Sequence, residues 1–206
     1  GGALDIRQPA RLNWNSSGNS SFSHAITGTG TINKSGSGTL TLNGPSTFGG
    51  QWLITGGSLS AMADNAISGD VTFDTLSSAW LRFDHAGDTS FAGNIATTSN
   101  GSPSHSVAKF GAGVLTLSGE IADAVRLFVG GGTMKINQLS MTNRMEVTNG
   151  SKLELSLGGD VIDLTGDLSN GGHFVVKGPG TLNWTKAQTG FSGTTSADGS
   201  TIMGTA

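Results

Sequence analysis

Four histidines, His24, His85, His105 and His173, are the side chains best suited to ligate a metal or act as a general base. They are far apart, and no His-Glu-x-x-His accompanies them, so the spacing predicts no metal centre and no cofactor. The chain has no Cys, which excludes thiolate ligands, disulfides and thiol nucleophiles. A serine nucleophile needs an adjacent base and oxyanion donors; no Gly-x-Ser-x-Gly elbow occurs, and Gly57-Ser58 and Gly101-Ser102 read as turns. Paired carboxylates could cleave a glycosidic bond. Asp160, Asp163 and Asp167 form the densest acidic patch and Glu120 with Asp123 a weaker one. They read as groups that solvate turns beside Leu164 and Leu168, and a catalytic pair is the alternative. Gly28-x-Gly30 and Gly36-x-Gly38 lack the helix start and the Gly-Lys-Ser/Thr ending of a phosphate loop. Trp14, Trp52, Trp80 and Trp184 could stack on sugars. In Ala79-Trp80-Leu81-Arg82-Phe83, inward Leu81 and Phe83 would turn Trp80 and Arg82 outward, making those two the candidate surface-contact residues. The reading is therefore non-enzymatic.

The elements that carry these residues follow from alternation. Thr39-Leu40-Thr41-Leu42, Val71-Thr72-Phe73, Leu81-Arg82-Phe83, Met134-Lys135-Ile136 and Leu153-Glu154-Leu155-Ser156-Leu157 all run with a period of two. That is the pattern of strands with one face buried. Gly, Asn, Asp and Ser punctuate the runs where turns belong. Of 206 residues, 34 are Gly and only 12% are charged, which suits closely spaced turns and an uncharged surface. A net charge of -3 leaves no electrostatic footprint for nucleic acid, so none is expected as a partner. No apolar run approaches the roughly 20 residues of a spanning helix, and no signal peptide is read at the start.

The chain repeats itself. Lys34-Ser35-Gly36-Ser37-Gly38-Thr39-Leu40-Thr41-Leu42-Asn43-Gly44 returns 75 residues later as Lys109-Phe110-Gly111-Ala112-Gly113-Val114-Leu115-Thr116-Leu117-Ser118-Gly119. A third copy places Gly178, Gly180, Thr181, Leu182 and Trp184 where the first has Gly36, Gly38, Thr39, Leu40 and Leu42. Upstream of the motif the offset falls to 69, which implies a short loop inserted near Thr97 to Ser106. The copies span approximately 22–90, 91–163 and 164–206, with 1–21 the tail of a preceding repeat, all within one domain. A unit of this size cannot cover its own apolar faces, whereas stacked units can. Parallel coils of roughly 20 to 25 residues fit the spacing, about nine in all.

The run from Phe22 to Leu42, with its Gly30-Thr31-Ile32 and Gly38-Thr39-Leu40-Thr41-Leu42 segments, resembles the passenger-associated repeat of bacterial autotransporters, the type V secretion proteins. Ser46-Thr47-Phe48-Gly49-Gly50 and Ile54-Thr55-Gly56-Gly57-Ser58-Leu59 continue the resemblance. It implies an all-β fold, a right-handed parallel β-helix. It also implies a secreted or surface-displayed passenger whose own C-terminal outer-membrane β-barrel is its partner in the precursor. The expected role is a stalk and a secretion and folding scaffold. An adhesin or self-association module contacting a host surface glycan or protein, or itself, is one alternative, and a polysaccharide-degrading β-helix another.

Overall fold

The computed structural model describes residues 2–75, 77–98, 105–137 and 144–204. Its strands follow one another coil by coil. The first coil holds β1 (Leu4–Ile6), β2 (Arg11–Asn15) and β3 (Ser20–Phe22). The second holds β4 (Ile26–Gly28), β5 (Thr31–Ser35) and β6 (Thr39–Leu42), and the next two β7 (Gln51–Ile54), β8 (Ser58–Ala61), β9 (Asp70–Phe73) and β10 (Trp80–Asp84). Then come β11 (Thr89–Phe91), β12 (Ile95–Thr97), β13 (His105–Phe110), β14 (Val114–Leu117), β15 (Val125–Val129), β16 (Thr133–Ile136) and β17 (Met145–Val147). The last coils carry β18 (Lys152–Ser156), β19 (Val161–Leu164), β20 (Leu168–Ser169), β21 (His173–Lys177), β22 (Thr181–Trp184), β23 (Thr194–Asp198) and β24 (Thr201–Gly204).

Each strand pairs in parallel with one a full turn away, and the result is a β-solenoid of about nine turns with no helix among the described residues. Three faces wind in a fixed order. The first is built from β1–β4 and, further along, β11–β14–β16–β18–β21–β23. A bridge from Ile26 to Ser46 and a bond from the Ser46 N–H to the Asn65 carbonyl (2.7 Å) carry this face through the coils between. The second face comprises β2–β5–β7–β9–β12 and later β19–β22–β24. The third is continuous, β3–β6–β8–β10–β13–β15–β17–β20, and Phe191 extends it by bridging Asn170.

The core is a set of ladders. On the third face Leu40, Leu59, Leu81, Val107, Leu127, Met145 and Leu168 stand in register, all buried. On the first face Leu115, Met134, Leu153 and Phe174 do the same, and on the second Ile32, Trp52, Val71 and Ile95. Each fully buried side chain of this kind stabilises the fold by about 1.5–3 kcal/mol. With strands about 4.8 Å apart, nine layers make a rod roughly 40 Å long.

The repeat has an architectural meaning that its 75-residue offset conceals. Copy one lays its strand pairs β5–β6 and β7–β8 on the second and third faces. Copy two lays β13–β14 and β15–β16 on the third and first, and copy three lays β21–β22 and β23–β24 on the first and second. Successive copies are therefore offset by three coils plus one face. Leu40, Leu115 and Leu182 all point into the core, yet they stand on three different faces. The corner glycine makes this possible. Gly36, Gly111 and Gly178 have φ of +77°, +74° and +96°. A Cβ there would lie 2.2–2.4 Å from the carbonyl oxygen of Ser16, His85 or Leu157 on the coil beneath. The loop read near Thr97 to Ser106 falls largely on residues 99–104, outside the described residues.

Candidate functional site

Parallel in-register strands put side chains of one parity in solvent columns. On the third face one outer column runs Ser58, Trp80, Ser106, Arg126 and a second runs Ser60, Arg82, Ala108, Phe128, Glu146. Ser106 and Ala108 on β13 are small, and both are covered completely by their larger neighbours. Trp80 of β10 and Phe128 of β15 close over them edge to face, with centroids 6.0 Å apart. Phe110 meets Phe128 at 5.5 Å. The Arg82 guanidinium lies 4.7 Å from the centre of the Phe110 ring, and that of Arg126 lies 5.6 Å from Phe128 and 6.0 Å from Trp80. Partly exposed cation–π contacts of this kind contribute about 0.5–1 kcal/mol each.

The two arginines differ in their ionic partners. Arg126 pairs with Glu146 one coil above. Its pKa is pushed down, first by burial and then by the nearby positive charge of Arg144. Arg82 has Asp84 at 3.8 Å, beyond hydrogen-bond length, and its side chain is 36% exposed. The Nε of each arginine is buried and finds no acceptor. Leu81 and Phe83 point inward while Trp80 and Arg82 face out, as alternation dictates. The sequence reading missed Phe110, Arg126, Phe128 and Glu146 as members of the same surface. They lie 28 to 66 residues beyond Trp80 and Arg82, and only the register brings them together. Arg126-Leu127-Phe128 carries the same outward–inward–outward pattern as Trp80-Leu81-Arg82, and that was the available signal.

A second polar cluster lies on the outer side of the first face. Glu154 of β18 is almost buried, 4% exposed, among Lys152, Lys177 and Lys135 at 3.3, 3.5 and 3.8 Å. Lys177 also reaches Asp198 at 3.8 Å. A shallow groove of about 400 Å³ opens beside it, lined by Ser151, Lys152, His173, Thr194 and backbone at Gly132 and Gly172.

Two lysines sit inside the solenoid. Lys34 is inward on β5 and its ammonium donates to the carbonyls of Ser35 (2.9 Å), Gly36 (3.1 Å) and, on the next coil, Gly56 (3.1 Å). Lys109 holds the same place in copy two and donates to the carbonyls of Phe110 and Gly111. Burial lowers the pKa of both; for Lys109 the charges of Asp84 and Asp88 oppose it. Alternation with Ile32 and Val107 was the sequence signal for their inward direction.

The remaining candidates occupy separate settings. Asp163 on β19 accepts a bond from the Asn183 amide at 2.9 Å, Asp167 pairs with Lys186, and Asp160 is exposed in the link between β18 and β19. Glu120 and Asp123 lie outside the strands. His85 shares a contact with the Gly87 carbonyl (2.8 Å) and lies 4.0 Å from Asp64. His105 is buried and stacked on Phe73, and His24 and His173 are exposed. Among the described residues no group of three or more His, Asp or Glu is placed to hold a metal ion. Trp52 is fully buried and donates to the Ser68 carbonyl at 3.0 Å, while Trp14 and Trp184 pack partly buried against the core.

Comparison with known proteins adds one positive finding. Residues 32–61, which hold β5 to β8, match the passenger-associated-transport-repeat family model. No curated protein and no solved structure matches the chain. The repeat and the β-solenoid together fit an autotransporter passenger domain, a family that points to a secreted or surface location and to linkage with an autotransporter barrel in the precursor.

Proposed function

From a passenger-associated transport repeat carried on a β-solenoid, we propose that this chain is a stalk segment of an outer-membrane-anchored passenger and a scaffold for its own export, with a structural rather than catalytic role. The observation that carries this reading is the unbroken ladder from Leu40 to Leu168, in which every coil completes the hydrogen bonds of the one before. Each coil that docks outside the cell buries apolar surface worth about 25 cal/mol per Å² and covers an open strand edge. Folding that advances one coil at a time biases a threaded chain against sliding back. The test is surface display of the precursor carrying Leu127→Asp, which places an unpaired carboxylate in the ladder. Appearance of the passenger outside the cell, read by protease accessibility, is expected to slow. An unchanged rate overturns the export role.

A further inference from the structure

The scaffold reading gives no task to the arginine–aromatic surface on the third face. We propose that this surface binds a carboxylate-bearing glycan, with a sugar ring stacked on Trp80 and its carboxylate held by the Arg82 guanidinium.

Three observations choose the occupant. Arg82 is a planar donor fork lying on an aromatic floor, about a third exposed, with its nearest carboxylate at 3.8 Å. Such a fork is shaped for a carboxylate. Arg82, Arg126 and Arg144 outnumber Asp84 and Glu146 here, so the patch is positive on a chain whose net charge is -3. An anionic ligand is thus the complementary one. The third observation separates sugar from peptide. β10, β13 and β15 are each hydrogen-bonded on both sides, so an extended peptide cannot add as a strand at the patch. An aromatic side chain set on a stiff sheet, with a hydrogen-bonding fork beside it, suits a pyranose ring. The proposal concerns the isolated chain and stands apart from the export role.

The experiment is calorimetric titration of the 206-residue chain with a galacturonic acid hexamer, its methyl ester and a hexaglutamate peptide. The acidic hexamer is expected to bind, and its methyl ester to bind at least tenfold more weakly. Loss of one charge-assisted contact should weaken binding roughly tenfold in Arg82→Gln, and Trp80→Ala should weaken it comparably. Lys152→Gln, on the first face, should leave it unchanged. Arg82→Lys keeps the charge without the fork and is expected to lose most of the affinity, so the result does not hang on Trp80→Ala remaining folded. Absence of binding overturns the proposal. So does equal binding of the methyl ester, or full affinity in either Arg82 variant. Equal losses in Lys152→Gln would show diffuse attraction to cations, and tighter binding of hexaglutamate would assign the surface to acidic peptides; either result also overturns it.

Discussion

Lys34 shows what a single side chain contributes at a corner. Its methylenes fill an inward place in the column Trp14, Lys34, Ile54, Phe73, and its ammonium gathers three carbonyls. In copy three Val176 takes this place, fully buried, so the corner itself tolerates an apolar residue. Lys34→Ala removes both the filling and the donors and is expected to cost about 2–4 kcal/mol in urea unfolding, with Lys34→Met costing less. The ordinary amine pKa is 10.5 and burial lowers it in the fold. Between those two values the unfolded chain holds more protons than the folded one, so stability should rise with pH toward 10.5. The double variant Lys34→Met, Lys109→Met should flatten that rise. His105 titrates in the lower range. Buried against Phe73 with centroids 4.9 Å apart, it has a pKa lowered by burial from 6.5. Its contribution is complete above pH 6.5 and is lost as pH falls through the lower folded value. Thermal midpoints measured from pH 7 to pH 4 should therefore drop less in His105→Phe than in the parent chain.

At the scale of strands, cross-coil register decides which substitutions matter. Leu127 stands between Val107 and Met145, and Leu127→Ala is expected to cost about 2–5 kcal/mol, read as a lower urea midpoint. Glu154→Gln leaves three lysines without their shared counter-charge. Those lysines are about 40% exposed and screened by water, so the cost should be about 1 kcal/mol at low salt and should shrink as ionic strength rises. The strands themselves were legible in the sequence. A period of two in Leu81-Arg82-Phe83 or Met134-Lys135-Ile136 separates core from solvent whatever lies next to it. Which strands are neighbours was not legible. All three faces bury side chains of the same kind, and the coils vary from 18 residues, Leu127 to Met145, to 26, Leu81 to Val107. Alternation thus fixed the direction of Trp80 and Arg82, while the meeting of Phe110, Arg126 and Phe128 with them depends on coil lengths that no local pattern records.

On the scale of the whole rod, the step of one face per repeat implies that the faces are interchangeable. The same two-strand motif folds over Ser16 in one copy, over His85 in the next and over Leu157 in the third, on three different pairs of faces. Its requirements travel with it: inward apolar side chains at alternate positions and a corner glycine with positive φ. A deletion matched to the repeat should then be tolerated even though it is not a whole number of coils. Removing residues 35–109 joins Lys34 to Phe110, so β14 follows β5 as β6 did. Thr116 should move from the first face, where it pairs with Ser90 and Lys135, to the third, where it takes the place of Thr41 beside Ser21. Parallel neighbours have Cα atoms about 4.8 Å apart, within the span a disulfide closes. Ser21→Cys with Thr116→Cys should therefore cross-link in the shortened chain and not in the full one, and the shortened chain should keep its β-sheet circular dichroism and a cooperative melt. A shortened chain that unfolds, or one that folds without the cross-link, would mean that each face demands its own sequence and that the passage of the motif around the axis is fixed by context instead of by the motif.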